Sequence, residues 1–426
     1  MTDTTLTDAD RTPDVVDYPT PRDPRRPFAQ PANVLATTET GRMARARIWD
    51  GSTPWLVTRY ADQHALLTDQ RLSIDEKREG YPHMTQGRSV SAQHTPPLIT
   101  NTDAPEHTQM RRTVNLPFTV KRVEAMRPRL QELVDDLLDE MLAAPGPVDL
   151  VQAFALPVPT IVITEMLGMD YGNRADFQHA SHTLVSHEAT DEESAAAGAV
   201  LGGHVAAAME AKMAEPADDV MSELAARVKA GEMTMRGALS MSTAILIAGH
   251  ETSASMISLG TLALLQNPDQ LEYFRSIVDD PKAVAAAVEE LLRYLSIVHT
   301  GVRRIANEDI QVGADVIRKD EGLILDVAAA NWDPAQFPEP DRLDLTRSAR
   351  SHHAFGYGAH QCLGQTLARV ELQVAFRALV SRVPDLRLAV PAQDVDFAYE
   401  GVAYGLHSLP VTWGPADRTG EELTHE

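Results

Sequence analysis

The sequence predicts a mainly α-helical protein with small β-sheets, organised as one large domain around a long buried helix. Three observations predict it. Met235–Gln266 keeps a helical pattern for about 30 residues, about 45 Å of helix, with apolar positions around most of its circumference. A helix of that length, buried on nearly all sides, has to cross a whole domain. Further helical patterns cover residues 104–116, 120–144 and 159–167, whereas strand-like runs are short, lying near the start and again around 310–312, 323–325, 386–389 and 409–413. Finally, no long Gly/Ser linker, repeat or low-complexity segment divides residues 28–414, so the chain reads as one domain despite its length.

Taken in order, residues 1–27 are polar, rich in Thr, Asp, Pro and Arg, and lack an apolar core, so they read as a flexible arm and not as a signal peptide or anchor. Arg45-Ala46-Arg47-Ile48 and Trp55-Leu56-Val57 flank an Asp50-Gly51 turn, which predicts a hairpin, and a helix begins near Tyr60. Residues 81–103 carry three prolines and little period; they are too long for a mere connector and read as a binding loop. Residues 188–217 are rich in Ala and Gly and predict looser surface helices, and residues 415–426 form a polar tail. The longest apolar stretch, 241–265, is interrupted by Gly249-His250-Glu251 and several serines, which a lipid-spanning helix would avoid, so no membrane is expected. The net charge of −23 argues against nucleic acid as a partner. A single cysteine excludes a disulfide framework and fits a reducing cytoplasm.

That cysteine, Cys362, lies in Phe355-Gly356-Tyr357-Gly358-Ala359-His360-Gln361-Cys362-Leu363-Gly364, a glycine-punctuated loop running into an amphipathic helix. An isolated cysteine is most often an inert buried hydrophobe. Here the setting suits a metal-bound thiolate: a helix start is expected to lower the thiol pKa, and Phe355 to shield the sulfur. Gly356, Gly358 and Gly364 let backbone approach a flat macrocycle, so a haem iron is the implied metal. A second anomaly sits inside the long helix, at Ala248-Gly249-His250-Glu251-Thr252. Thr252 can bond the Ala248 carbonyl and widen one turn, and Gly249 would leave space beside it. The result would be a polar pocket for O2 and a water, with Glu251 and Thr252 relaying protons.

The chain resembles the cytochrome P450 family. Phe355, Gly358, Cys362 and Gly364 match its signature Phe-x-x-Gly-x-x-x-Cys-x-Gly, and residues 248–252 match its oxygen-activation motif. Glu290 and Arg293 match its Glu-x-x-Arg pair, with Arg342 as the expected third member of a buried network holding the cysteine loop. The resemblance implies haem b, iron protoporphyrin IX, with O2 as co-substrate. It also implies His107, Arg111, Arg304 and His360 as partners of the haem propionates. Three residues depart from the pattern: His353 where an apolar residue is usual, Trp332 in place of a common arginine, and Ser253 after the Glu-Thr pair.

By the same resemblance the substrate should touch Val90, Leu98, Leu184, Val185, Ala244, Ala248, Ile297, Val298, Thr300, Val402 and Tyr404. These are mostly small or aliphatic, which fits a lipophilic molecule such as a polyketide, terpenoid, steroid-like compound or drug. The implied reaction inserts one oxygen atom from O2 into a C–H or C=C bond. No flavin or iron–sulfur domain fits the length, so electrons should come from a separate ferredoxin and its reductase. Arg111, Arg112, Lys121, Arg122, Arg127 and Arg129 form a basic stretch suited to docking that ferredoxin. Two other readings remain: a peroxygenase, isomerase or dehydratase needing no electron supply, and a haem-binding sensor or carrier without turnover.

Overall fold

Residues 235–266 form a continuous helix of 32 residues, opened by Thr234, whose hydroxyl accepts from the Gly237 amide at 3.1 Å. It stops at Asn267, and Pro268 begins the next helix, Pro268–Ser276. In a computed structural model of the chain, described over residues 13–169, 179–181, 183–184 and 189–414, this central helix is the axis of the molecule. From residue 253 to 264 every position but Ser255 is buried. The helices Pro157–Leu167 and Gln365–Arg382 and the strand Gly405–Ser408 press against it. Two glycines permit the closest approaches. A Cβ on Gly260 would stand 2.3 Å from Phe376, and one on Gly249 would stand 2.9 Å from Ile163.

Most helices, the central one included, contribute to one apolar core. A six-stranded sheet lies to one side, ordered Val15–Asp17, Ala44–Arg47, Trp55–Val57, Gly322–Leu325, Val302–Ala306, Leu72–Ser73. The hairpin at residues 44–57 forms as expected, with Arg45 opposite Trp55 and Gly51 in the turn at φ +80°. Ile310–Val312 pairs with Asp315–Ile317, and Pro410–Thr412 joins Arg387–Leu388 to Val148–Asp149. Among the described residues, no helix is long and apolar enough to cross a membrane.

Two expectations change. The arm is not loose after residue 13: Val15–Asp17 pairs in parallel with Ala44–Arg47, and Tyr18 and Arg22 are buried. Arg22 donates to the carbonyls of Phe28, Leu295 and Ser296. Three residues are too few to show a period, so the open sheet edge, not the local pattern, decides that strand. The stretch 81–103 contains a short helix, Gln86–Ala92, whose Thr85 cap accepts from the Arg88 amide at 3.1 Å.

Candidate active site

Cys362 is the last residue but two before the helix Gln365–Arg382, and its amide closes the loop by donating to the Phe355 carbonyl at 2.9 Å. Gly356 and Gly358 take φ of +67° and +77°, and a Cβ on Gly358 would strike the Leu67 carbonyl oxygen at 2.5 Å. Only glycine allows that turn and contact together. The expected fall of the thiol pKa does not occur. Burial pushes the Cys362 thiol up, outweighing the Gly364 and Gln365 amides and the charges of Arg111 and Arg369. The residue nevertheless keeps exposed surface. Phe355 carries the Arg369 guanidinium over its ring, 4.5 Å from the centroid.

Beside this loop the fold gathers cations. The His107 and His360 rings lie 4.0 Å apart, and Arg111 donates to the Gln361 carbonyl at 2.5 Å. Arg304 is buried and, among the described residues, its side chain donates only to the neighbouring Arg303 carbonyl, at 2.8 Å. The Nε2 of His107 is buried without a hydrogen-bond partner among the described residues. Burial, then the charges of Arg304 and His107, push His360 down to about 4. Burial also lowers Arg304. Asp103, the nearest acid, is engaged by the Ser73 hydroxyl and the Ile74 amide. None of these four side chains forms an ion pair within the described residues. Two guanidiniums and two imidazoles that no carboxylate pairs with among the described residues are what two propionates beside a thiolate-bound metal require, so these residues fit haem.

On the central helix, Thr252 Oγ1 donates to the Ala248 carbonyl at 2.8 Å, the bond its spacing predicts, within a helix that runs on without a break. Gly249 plays another part: its bare Cα admits Ile163, so it serves close helix packing rather than opening a pocket. Burial first, and the neighbouring Glu400 second, raise Glu251 to about 7. Ser253 Oγ donates to Glu371 Oε2 at 2.7 Å, and burial raises Glu371 to about 7 as well.

Glu290 and Arg293 meet through two hydrogen bonds, of 2.7 and 2.9 Å, with both side chains fully buried. Arg293 also donates to the carbonyls of Asn331 and Pro340, at 2.9 Å each. The third member is Arg347, whose Nε donates to Glu290 Oε1 at 3.1 Å, and not Arg342. Arg342 points outward, 60% exposed, and gives the network only its carbonyl. Sequence reasoning also missed Glu289. Its carboxylate accepts from Arg369 Nε at 2.6 Å and lies 3.0 Å from His352 Nε2, so that against the upward push of burial it stays near 2. Adjacent acids on one helix could have signalled two inward-facing partners. His353 is buried too, its ring 4.2 Å from Tyr60 and its Nε2 3.2 Å from His64 Nδ1. Trp332 Nε1 donates to the Tyr294 carbonyl at 2.9 Å.

The expected pocket residues divide. Leu98, Leu184, Ala244 and Val298 are half-buried, Ile297 is buried, Ala248, Val90 and Val402 are exposed, and Val185 lies outside the described residues. Tyr404 and Thr300 expose nothing and pack against protein instead of facing a substrate. Tyr404 stacks on Phe397 at 5.7 Å and takes the Arg22 guanidinium over its ring at 4.3 Å.

Residues 206–383 match the family model for cytochrome P450. The chain is 49% identical to cytochrome P450 CYP105Q4 of Mycobacterium marinum, over 94% of this chain and 96% of that one. It is 48% identical to cytochrome P450 GfsF of Streptomyces halstedii, over 97% of this chain and all of that one. The crystal structure of GfsF superposes with a TM-score of 0.88, covering 94% of this chain and 100% of that one. The mycinamicin VIII C21 methyl hydroxylase MycCI of Micromonospora griseorubida, solved with mycinamicin VIII, is 35% identical at a TM-score of 0.86, covering 94% and 100%. With its thiolate loop, its cationic set and this likeness along nearly its whole length, the chain belongs to the cytochrome P450 family and is a haem-dependent monooxygenase that uses O2.

Proposed function

We propose that the protein hydroxylates or epoxidises a lipophilic small molecule of secondary metabolism, drawing electrons from a separate ferredoxin and reductase. The observation that carries the reading is the Ala248–Thr252 turn, where the Thr252 hydroxyl is fixed beside a carboxyl held near 7. Haem bound through Cys362 supplies O2 binding and oxygen insertion. His107, Arg111, Arg304 and His360 hold its carboxylates. Glu251, poised near neutrality, takes up and gives a proton at its carboxyl group, and Thr252 Oγ1, fixed by the Ala248 carbonyl, positions the proton acceptor. The mycinamicin hydroxylase among the similar structures, named for its action on a large secondary metabolite, supports the substrate class. An intact Glu251–Thr252 pair argues against a peroxygenase, isomerase or sensor, none of which needs protons delivered to O2.

For the electron partner, the basic stretch narrows. Arg122, Arg127 and Arg129 pair with Asp218, Glu124 and Glu165, and Arg111 turns inward. Arg112 and Lys121 are exposed and, within the described residues, form no ion pair. The exposed apolar Leu116 and Val120 lie between them in sequence, so this is the surface we assign to an acidic ferredoxin. The reading is tested with purified holoprotein, NADH, a ferredoxin system and lipophilic candidates chosen by spin-state shift. Product formed in step with NADH consumption is expected; product from peroxide alone, with none from NADH, would overturn it.

A further inference from the structure

Each proton that Glu251 gives up has to be replaced from solvent, and the fold sets Glu400 within electrostatic reach of it, with His407 paired to Glu400. The strand Gly405–Ser408 presses on the central helix one turn beyond Glu251, so tightly that a Cβ on Gly405 would stand 2.7 Å from Ser255 Oγ. The turn leading into that strand carries Glu400. It is held in place where the Gly401 carbonyl meets His299 Nε2 at 2.7 Å and the Tyr404 amide donates to the Ile297 carbonyl at 2.8 Å. Glu400 keeps 13% of its side chain exposed, and its Oε1 lies 3.2 Å from Nε2 of His407, which is 38% exposed. His250 faces Glu251 from its own helix, with Nδ1 3.7 Å from Oε1, but it is fully buried and offers no route outward. His299 is turned to the Gly401 carbonyl, and Tyr399 and Tyr404, their ring centroids 5.3 Å apart, are the tyrosines of this turn.

We infer that His407 and Glu400 supply protons to Glu251, forming an entry path along the C-terminal β-turn. The inference rests on the proton-delivery role given to Glu251 above. Solvent protonates His407, whose Nε2 passes the proton to Oε1 of Glu400. Glu400 hands it on to the Glu251 carboxylate, directly or across one water, and neutral His407 is protonated again. One proton enters for each that leaves, so no charge accumulates. Glu400 also acts as a positioning charge, because its carboxylate repels that of Glu251 and keeps the proton there.

The test uses holoprotein carrying Glu400→Gln or His407→Gln, each checked for a red-shifted CO band. Infrared titration follows the carboxyl band that vanishes in Glu251→Gln. With Glu400→Gln its midpoint should fall by about one pH unit, since a neighbouring negative charge is gone. Both variants should raise the solvent isotope effect of NADH-driven turnover about twofold and divert reduced oxygen to peroxide. Turnover driven by added peroxide, which brings its own protons, is the reference. An unmoved midpoint together with unchanged isotope effects would overturn the path. Should Glu400→Gln fail to fold, exposed His407→Gln decides by the isotope effect alone. If Glu251→Gln itself leaves coupling intact, the delivery role fails first; if it uncouples turnover while the other two do not, only the entry path fails.

Discussion

Two charged regions flank the cysteine loop, and they are built on opposite principles. In the framework behind it, every buried charge is answered: Glu290 by Arg293 and Arg347, Glu289 by Arg369 and His352. In the set beside it, His107, Arg111, Arg304 and His360 are brought together with no carboxylate paired to them among the described residues, and their buried members are pushed toward neutrality. Burying charge is tolerable only when it is paired, so a closed network marks scaffold and an open one marks a ligand. The contrast separates roles that residue type alone does not, since arginine serves in both.

Breaking the closed network should have the largest effect. Glu290→Gln leaves two buried guanidiniums without their anion and should cost about 3–5 kcal/mol, read as a lowered urea midpoint and poor recovery of holoprotein. An unchanged midpoint would mean the network is not structural. Next comes the buried acid Glu371, whose pKa is raised from 4.5 to about 7. Its native form binds a proton that the unfolded chain releases, so its contribution is fully present below about 4.5 and is lost as pH rises through about 7. Glu371→Gln should therefore flatten the decline in stability across that window by roughly 3 kcal/mol, measured by denaturation at a series of pH values.

The open set should respond differently. Arg304→Ala should leave the apoprotein within about 1 kcal/mol of the parent, because the arginine has no ion pair to lose, while haem transfer to apomyoglobin speeds up about tenfold. Equal damage to both would place Arg304 in the scaffold. The smallest effect belongs to Arg342→Ala, expected within about 0.5 kcal/mol by denaturation, since that side chain is exposed; a loss like that of Glu290→Gln would restore it to the buried network.

Much of this was legible in the sequence, for reasons that differ from part to part. The central helix showed because its pattern runs for many turns, and the cysteine loop because its glycines stand where backbone needs positive φ. Thr252 and Ala248 were readable because a bond four residues apart along a helix is local geometry. Arg347 was not, because it reaches Glu290 from an irregular segment whose path no periodicity encodes. Val15–Asp17 was hidden for the related reason that its pairing partner lies elsewhere in the chain.

By itself, then, the sequence determined the helical class, the thiolate loop and the Thr252–Ala248 bond, all features set by bonds between near neighbours in the chain. Tertiary structure alone decided which arginine closes the network, that Gly249 admits Ile163, and that the Cys362 thiol is raised despite its helix start. Those outcomes turn on distance in space and on how much water burial removes, and neither quantity is written into the order of the residues.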